Sequence, residues 1–276
     1  MNNELANNTT RKPFNWRLWG ILVAAILVSV ILVTPYTLSL QAHTLRNVQL
    51  PMPLYLLLPF QWAQATILYG IIAALGLIIA GRIGLGLPVL ESWLAGQPDR
   101  ALVRRFLVPA IVVGALAGGA IVLLDIYLFG PRLAAELAST SPVDAPTLGA
   151  PAWQGFLASF YGGVTEEILL RLFVLSLFAW LGRFVNRTAT GRPGLTALWI
   201  ANIVAAVLFG LGHLPATVAA GLPLDALVIT RAIVLNGIGG LAFGWFYWTY
   251  GLESAMVSHF SADIVLHVVV PLVMGR

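Results

Sequence analysis

GFLASFYGGVTEEILLRLFVLSLFAWL occupies residues 155–181, and its only charged residues are Glu166, Glu167 and Arg171. A helix needs about 20 predominantly apolar residues to cross a bilayer. This stretch exceeds that and reads as a membrane-spanning helix with three ionisable groups at depth. Glu167 and Arg171 are i and i+4, so on a helix they share a face and can pair. Glu166 points about 100° away from its neighbour. One carboxylate would be neutralised and the other left to face a cavity. A charge network that only fixes helix packing would read the same at this level.

The rest of the chain agrees with a membrane reading. Of 276 residues, 59% are hydrophobic and 9% charged, and mean hydropathy is +0.89. A soluble domain carries roughly 25% charge. Seven segments have spanning character: 18–40, 60–80, 106–128, 153–182, 195–213, 231–250 and 254–273. The expected fold class is an all-α polytopic transmembrane helical bundle of about seven spans, with eight as the alternative. The fourth segment is too long for one straight span, so it is tilted or broken near Gly162-Gly163. Residues 1–17 read as a cytoplasmic tail and 18–276 as one transmembrane domain. The run from Leu18 is longer than the roughly 7–15-residue core of a signal peptide. It reads as an uncleaved first helix, with cleavage near Ala42 the alternative.

Arg11, Lys12, Arg17, Arg82, Arg100, Arg104, Arg105, Arg183, Arg187 and Arg192 fall on one side of this arrangement. Arg46, Arg132, Arg231 and Arg276 fall on the other. Basic residues favour cytoplasmic loops, so the expected orientation is a cytoplasmic N-terminus in the cell membrane. The net charge of +4 is thereby assigned to orientation rather than to nucleic acid. The 81–105 connection reads as a short amphipathic surface helix, and 129–151 as an external loop. The chain has no cysteine, which excludes disulfides, thiolate metal sites and a Cys nucleophile.

Ionisable groups inside a membrane are costly and mark functional sites. They are Asp125, Glu166, Glu167, Arg171, His213, His259, Asp263 and His267, with Asn202, Arg231 and Asn236 as lesser polar candidates. Phe209 and His213 are i and i+4, as are His259 and Asp263, so each pair shares a helix face. A carboxylate so placed can orient an imidazole or share a ligand with it. His267 continues the row by one turn and reads as a polar residue near the far end.

Glu166-Glu167-x-x-x-Arg171, Phe209-x-x-x-His213 and His259-x-x-x-Asp263, in this order and each on a spanning segment, resemble the CAAX prenyl protease and bacteriocin-processing (Abi) family of intramembrane endopeptidases. The motifs cover 166–263. The resemblance implies that Glu166 is the general base on a water and that His213 binds and polarises that water. It implies that His259 and Asp263 position the substrate carbonyl and stabilise the oxyanion. Glu167, Arg171 and Phe209 would support them. The family is described with both metal-dependent and glutamate mechanisms. Glu166, His213, His259 and Asp263 could ligate a divalent metal such as zinc, or Glu166 could act without one. HExxH and GxSxG motifs are absent, which disfavours those hydrolase classes.

The expected activity is an intramembrane endopeptidase acting on a peptide or protein at the bilayer, prenylated C-terminal peptides being the family's namesake substrates. The alternatives are a catalytically silent peptide- or partner-binding membrane protein, as in self-immunity, and a proton-coupled transporter. One tension remains. In a simple seven-span path His213 ends one helix while His259 lies near the start of another, so the two should differ in depth.

Overall fold

The computed structural model describes residues 14–47, 49, 51–140 and 149–275. Six helices are long and apolar enough to cross a membrane. They are α1 (Trp16–Leu40), α2 (Leu54–Ile83), α3 (Arg100–Ala135), α5 (Leu195–Gly212), α6 (Ala226–Tyr250) and α7 (Leu252–Val273). Between α3 and α5 lies α4, continuously helical over 152–182. Glu166, Glu167 and Arg171 set it apart from the six by charge, not by length. Among the described residues the bundle therefore has seven helices of spanning length, and the chain is an integral membrane protein.

The sequence places Asn15, Asp99 and Asp225 just before helices. Their side chains accept hydrogen bonds from the backbone N–H of Leu18, Leu102 and Val228, satisfying amides that a helix leaves free at its start. The reverse turn from α6 to α7 depends on Gly251, whose φ is +100°, in the region that favours glycine.

Three expectations need correction. The fourth span is not broken at Gly162-Gly163. It stays helical but widens to i→i+5 bonding over Tyr161–Glu166 and again over Ile168–Leu175. Such widened turns recur at functional sites. The 129–151 stretch is not wholly a loop, because helix continues through Gly130–Thr140 after a widened turn at Asp125–Phe129. Residues 141–148, and the tail charges Arg11 and Lys12, lie outside the described residues. Third, α2 begins at Leu54, six residues before the expected 60–80 span, and carries Pro59 inside it. The 81–105 connection does contain a short helix, Pro88–Leu94.

Packing is built on small residues, as expected where lipid removes the hydrophobic drive between helices. The buried face of α2 is Gly70, Ala73, Gly76, Ala80 and Ile83, and Gly76 packs against Leu172 of α4. On α3, Gly114 and Gly118 meet the carbonyls of Ser258 and Ala262 of α7 so closely that neither position has room for a Cβ. From the other side, Gly155 and Gly162 of α4 press on His267 and Asp263 of α7 in the same way. The helix that carries His259 and Asp263 is thus held between glycine-lined faces of α3 and α4.

Candidate active site

Glu167 and Arg171 are both fully buried, with Arg171 Nη1 2.8 Å from Glu167 Oε1. The second guanidinium nitrogen, Nη2, donates to the Gly240 carbonyl of α6 at 3.1 Å. Arg171 also lies over the rings of Phe209 and Phe243, 5.2 and 5.4 Å from their centroids, where the ring face attracts a cation. An ion removed from water needs several such partners, and here α4 and α5 each supply one and α6 two.

The same Glu167 Oε1 lies 2.7 Å from His259 Nδ1. The carboxylate paired with Arg171 is the acceptor here, so Nδ1 carries the hydrogen. That fixes the tautomer and turns Nε2 the other way. His259 Nε2 faces Glu166 Oε2 at 3.7 Å and Asp263 Oδ1 at 3.6 Å. Both separations exceed a direct hydrogen bond and suit a water held between the groups. Phe243 stacks on the imidazole at 4.6 Å. The His259 side chain is 5% exposed, Asp263 11% and Glu166 21%. A buried, oriented imidazole thus meets a carboxylate that remains accessible.

Gly162 explains how α4 can pass this point. A Cβ there would overlap the Asp263 carboxylate and stand 3.0 Å from His259 Nε2. One residue before Glu166, Thr165 Oγ1 and Ser29 Oγ of α1 share a 2.6 Å hydrogen bond. The N-terminal helices therefore contribute to the wall of the site, which the three motifs did not indicate.

His213 stands apart. It terminates α5, and its Nδ1 donates to the Phe209 carbonyl at 2.8 Å. The bond turns its ring back along the helix. No ion-pair contact joins it to a described carboxylate. Its link to the cluster is Phe209, whose ring packs edge-on to His213 at 4.8 Å and to His259 at 5.5 Å. The depth tension is thus reduced but not removed: Phe209 reaches the site, and His213 sits a turn beyond it.

The remaining candidates separate cleanly. Asp125 and Arg231 form a two-pronged ion pair between α3 and α6 at 2.7 and 2.6 Å. Asn202 donates to the Leu241 carbonyl and ties α5 to α6. Asn236 bonds within its own helix. His267 Nε2 is 4.0 Å from Asp263 Oδ1, and its Nδ1 lies 3.1 Å from the Tyr36 hydroxyl. Sequence reading missed Tyr36, Phe243 and the Gly240 carbonyl. Aromatic residues in an apolar chain and a backbone oxygen carry no motif that could have signalled them.

The imidazole and carboxylate donors have the right chemistry for zinc. Their arrangement does not fit it: among the described residues no three such groups are disposed to hold a metal ion, and His213 is separated from the others.

Residues 148–265 match the family model for Rce1-like proteins, described as type II CAAX prenyl endopeptidase Rce1-like. The matched segment contains all three motifs, so the resemblance they carry is supported by the family as well as by its residues. Over these residues the chain is similar to that family. No curated protein and no solved structure matches the chain.

Proposed function

We propose that this chain, whose residues 148–265 match the Rce1-like family model, hydrolyses a peptide bond of a membrane-associated peptide or protein with a water activated by Glu166 and His259. The observation that carries the reading is the orientation of His259: Nδ1 bound to Glu167, Nε2 turned to two carboxylates across gaps of water size. Glu166, the most accessible carboxylate of the cluster, takes a proton from the water as its oxygen attacks the carbonyl carbon. His259 Nε2, which carries no hydrogen, accepts the water's other O–H and holds the water for attack. The C–N bond then breaks, and the proton held by Glu166 passes to the leaving amine. Asp263 orients the water and the imidazole. Phe209 packs on His259 and links it to His213. The Glu167–Arg171 pair keeps the imidazole in one tautomer, as the buried carboxylate of a Ser-His-Asp triad does.

The substrate class follows from place. A site midway along membrane helices admits a segment lying in or against the bilayer, and the namesake prenylated C-terminal peptides are one such class. The orientation proposed is a cytoplasmic N-terminus in the cell membrane, from the ten-to-four distribution of basic residues.

The test compares the termini of membrane peptides in cells with the wild-type chain and with Glu166→Gln. New termini should disappear with the variant. Equal processing by both chains would refute the reading, and unprocessed capture of the same peptides by both would favour the binding protein instead. Processing by purified chain should survive removal of divalent metals by a chelator; loss on chelation, restored by zinc, would replace the metal-free step with a metal one.

A further inference from the structure

A hydrolase consumes one water per turnover, and Glu166 lies about 20 Å along α4 from Ala152 at 1.5 Å per residue. Water must therefore reach mid-membrane depth. One face of α7 carries His259, Asp263 and His267 at successive turns. Asp263 Oδ1 is 3.6 Å from His259 Nε2 and 4.0 Å from His267 Nε2. The His267 ring continues to the Tyr36 hydroxyl at 3.1 Å. At that point a cavity of about 160 Å³ opens between the end of α1, the start of α4 and the end of α7. Tyr36, Ala150, Leu266, His267, Val270 and Pro271 border it. The His267 side chain is 34% exposed, three times as much as Asp263. Polar groups thus run from the cavity to His259, and along α7 their exposure rises outward.

We infer that this cavity is the water port of the site, with His267 and Tyr36 as its inner gate and Asp263 as the first group that entering water meets. The inference rests on the hydrolytic reading above and adds two positioning residues to it. The two gaps at Asp263, 3.6 and 4.0 Å, suit a bridging water and are polar on both sides, while the Tyr36–His267 hydrogen bond at 3.1 Å closes the row at the cavity. The port opens at the end of the bundle opposite the arginine-rich 81–105 and 183–194 connections, because α1 and α7 run towards it and α4 runs from it.

The absence of cysteine makes a direct test possible. Single cysteines at Leu266, Val270 and mid-helix Leu116, which is an exposed surface position on α3, are treated in sealed vesicles with a charged, membrane-impermeant methanethiosulfonate. Only a hydrated thiol ionises readily, so Leu266→Cys and Val270→Cys should react about tenfold faster than Leu116→Cys or more. They should do so from the face that labels Leu224→Cys and not from the face that labels Val185→Cys. Adding His267→Trp should slow labelling at Leu266→Cys, and in the cysteine-free chain it should slow peptide processing by a similar factor. Labelling at Leu266→Cys no faster than at Leu116→Cys would overturn the port, as would full processing by His267→Trp. The labelling is repeated with Glu166→Gln. A dry cavity there refutes the port alone, while normal processing by that variant refutes the hydrolytic reading.

Discussion

Glu167 does two jobs with one oxygen, meeting Arg171 at 2.8 Å and His259 at 2.7 Å. Removing Arg171 leaves the Glu167 carboxylate where nothing solvates it. Arg171→Met should therefore cost about 3–5 kcal/mol of stability, read as loss of folded protein in a detergent thermal-unfolding assay. The double variant Glu167→Gln/Arg171→Met should recover a large part of that loss, because no lone charge remains. Activity should not recover with it, since a neutral amide no longer dictates which nitrogen of His259 holds the hydrogen. Glu166 behaves differently. It is partly exposed and has no close partner, so Glu166→Gln should leave unfolding unchanged and lower turnover by roughly 10²–10⁴-fold, the usual range for a lost general base. A measured change of less than tenfold in turnover would remove Glu166 from that role.

At the scale of elements, the site depends on how closely α4 can approach α7. Gly162 and Gly163 are neighbours but differ in what a methyl would meet. At Gly162 it would overlap the Asp263 carboxylate, whereas at Gly163 the nearest atoms, the Met256 carbonyl oxygen and Phe260 Cβ, are 3.2 Å away. Gly162→Ala should displace Asp263 and His259 and reduce turnover by tenfold or more, with overpacking costing about 1–3 kcal/mol. Gly163→Ala should be milder on both counts, needing only a small shift of Phe260. Turnover and unfolding midpoints of the two variants, measured side by side, check the order. The widened turns of α4 carry Glu166 in one stretch and Arg171 in the next, with Glu167 between them.

At the scale of the whole molecule, seven helices put the 183–194 and 220–225 connections at opposite ends. Val185 is 94% exposed and Leu224 57%, so Val185→Cys and Leu224→Cys should label from opposite faces of a sealed vesicle. Labelling of both from one face would overturn the seven-helix path. Much of this architecture was legible beforehand. Long apolar segments must become helices in a bilayer, because no other open structure satisfies the backbone there. The i,i+4 spacing likewise made the Glu167–Arg171 pair readable, since helix geometry is local. Span ends were less legible at Leu54, where Pro59 interrupts an apolar run that the helix continues through, and at Gly130–Thr140, where the helix runs past the apolar segment. The widening of α4 was not legible at all, because hydrogen-bond register inside a helix answers to neighbours rather than to the residues themselves. By itself the sequence determined a helical membrane bundle and the small set of charged and imidazole groups it must shelter. Only the tertiary structure decided which of them meet: it joined Glu167 to His259, set Phe209 between His213 and the cluster, and brought Tyr36 of the first helix to the last. Those contacts lie between helices far apart in sequence, and they are set by where glycine faces let backbones come close.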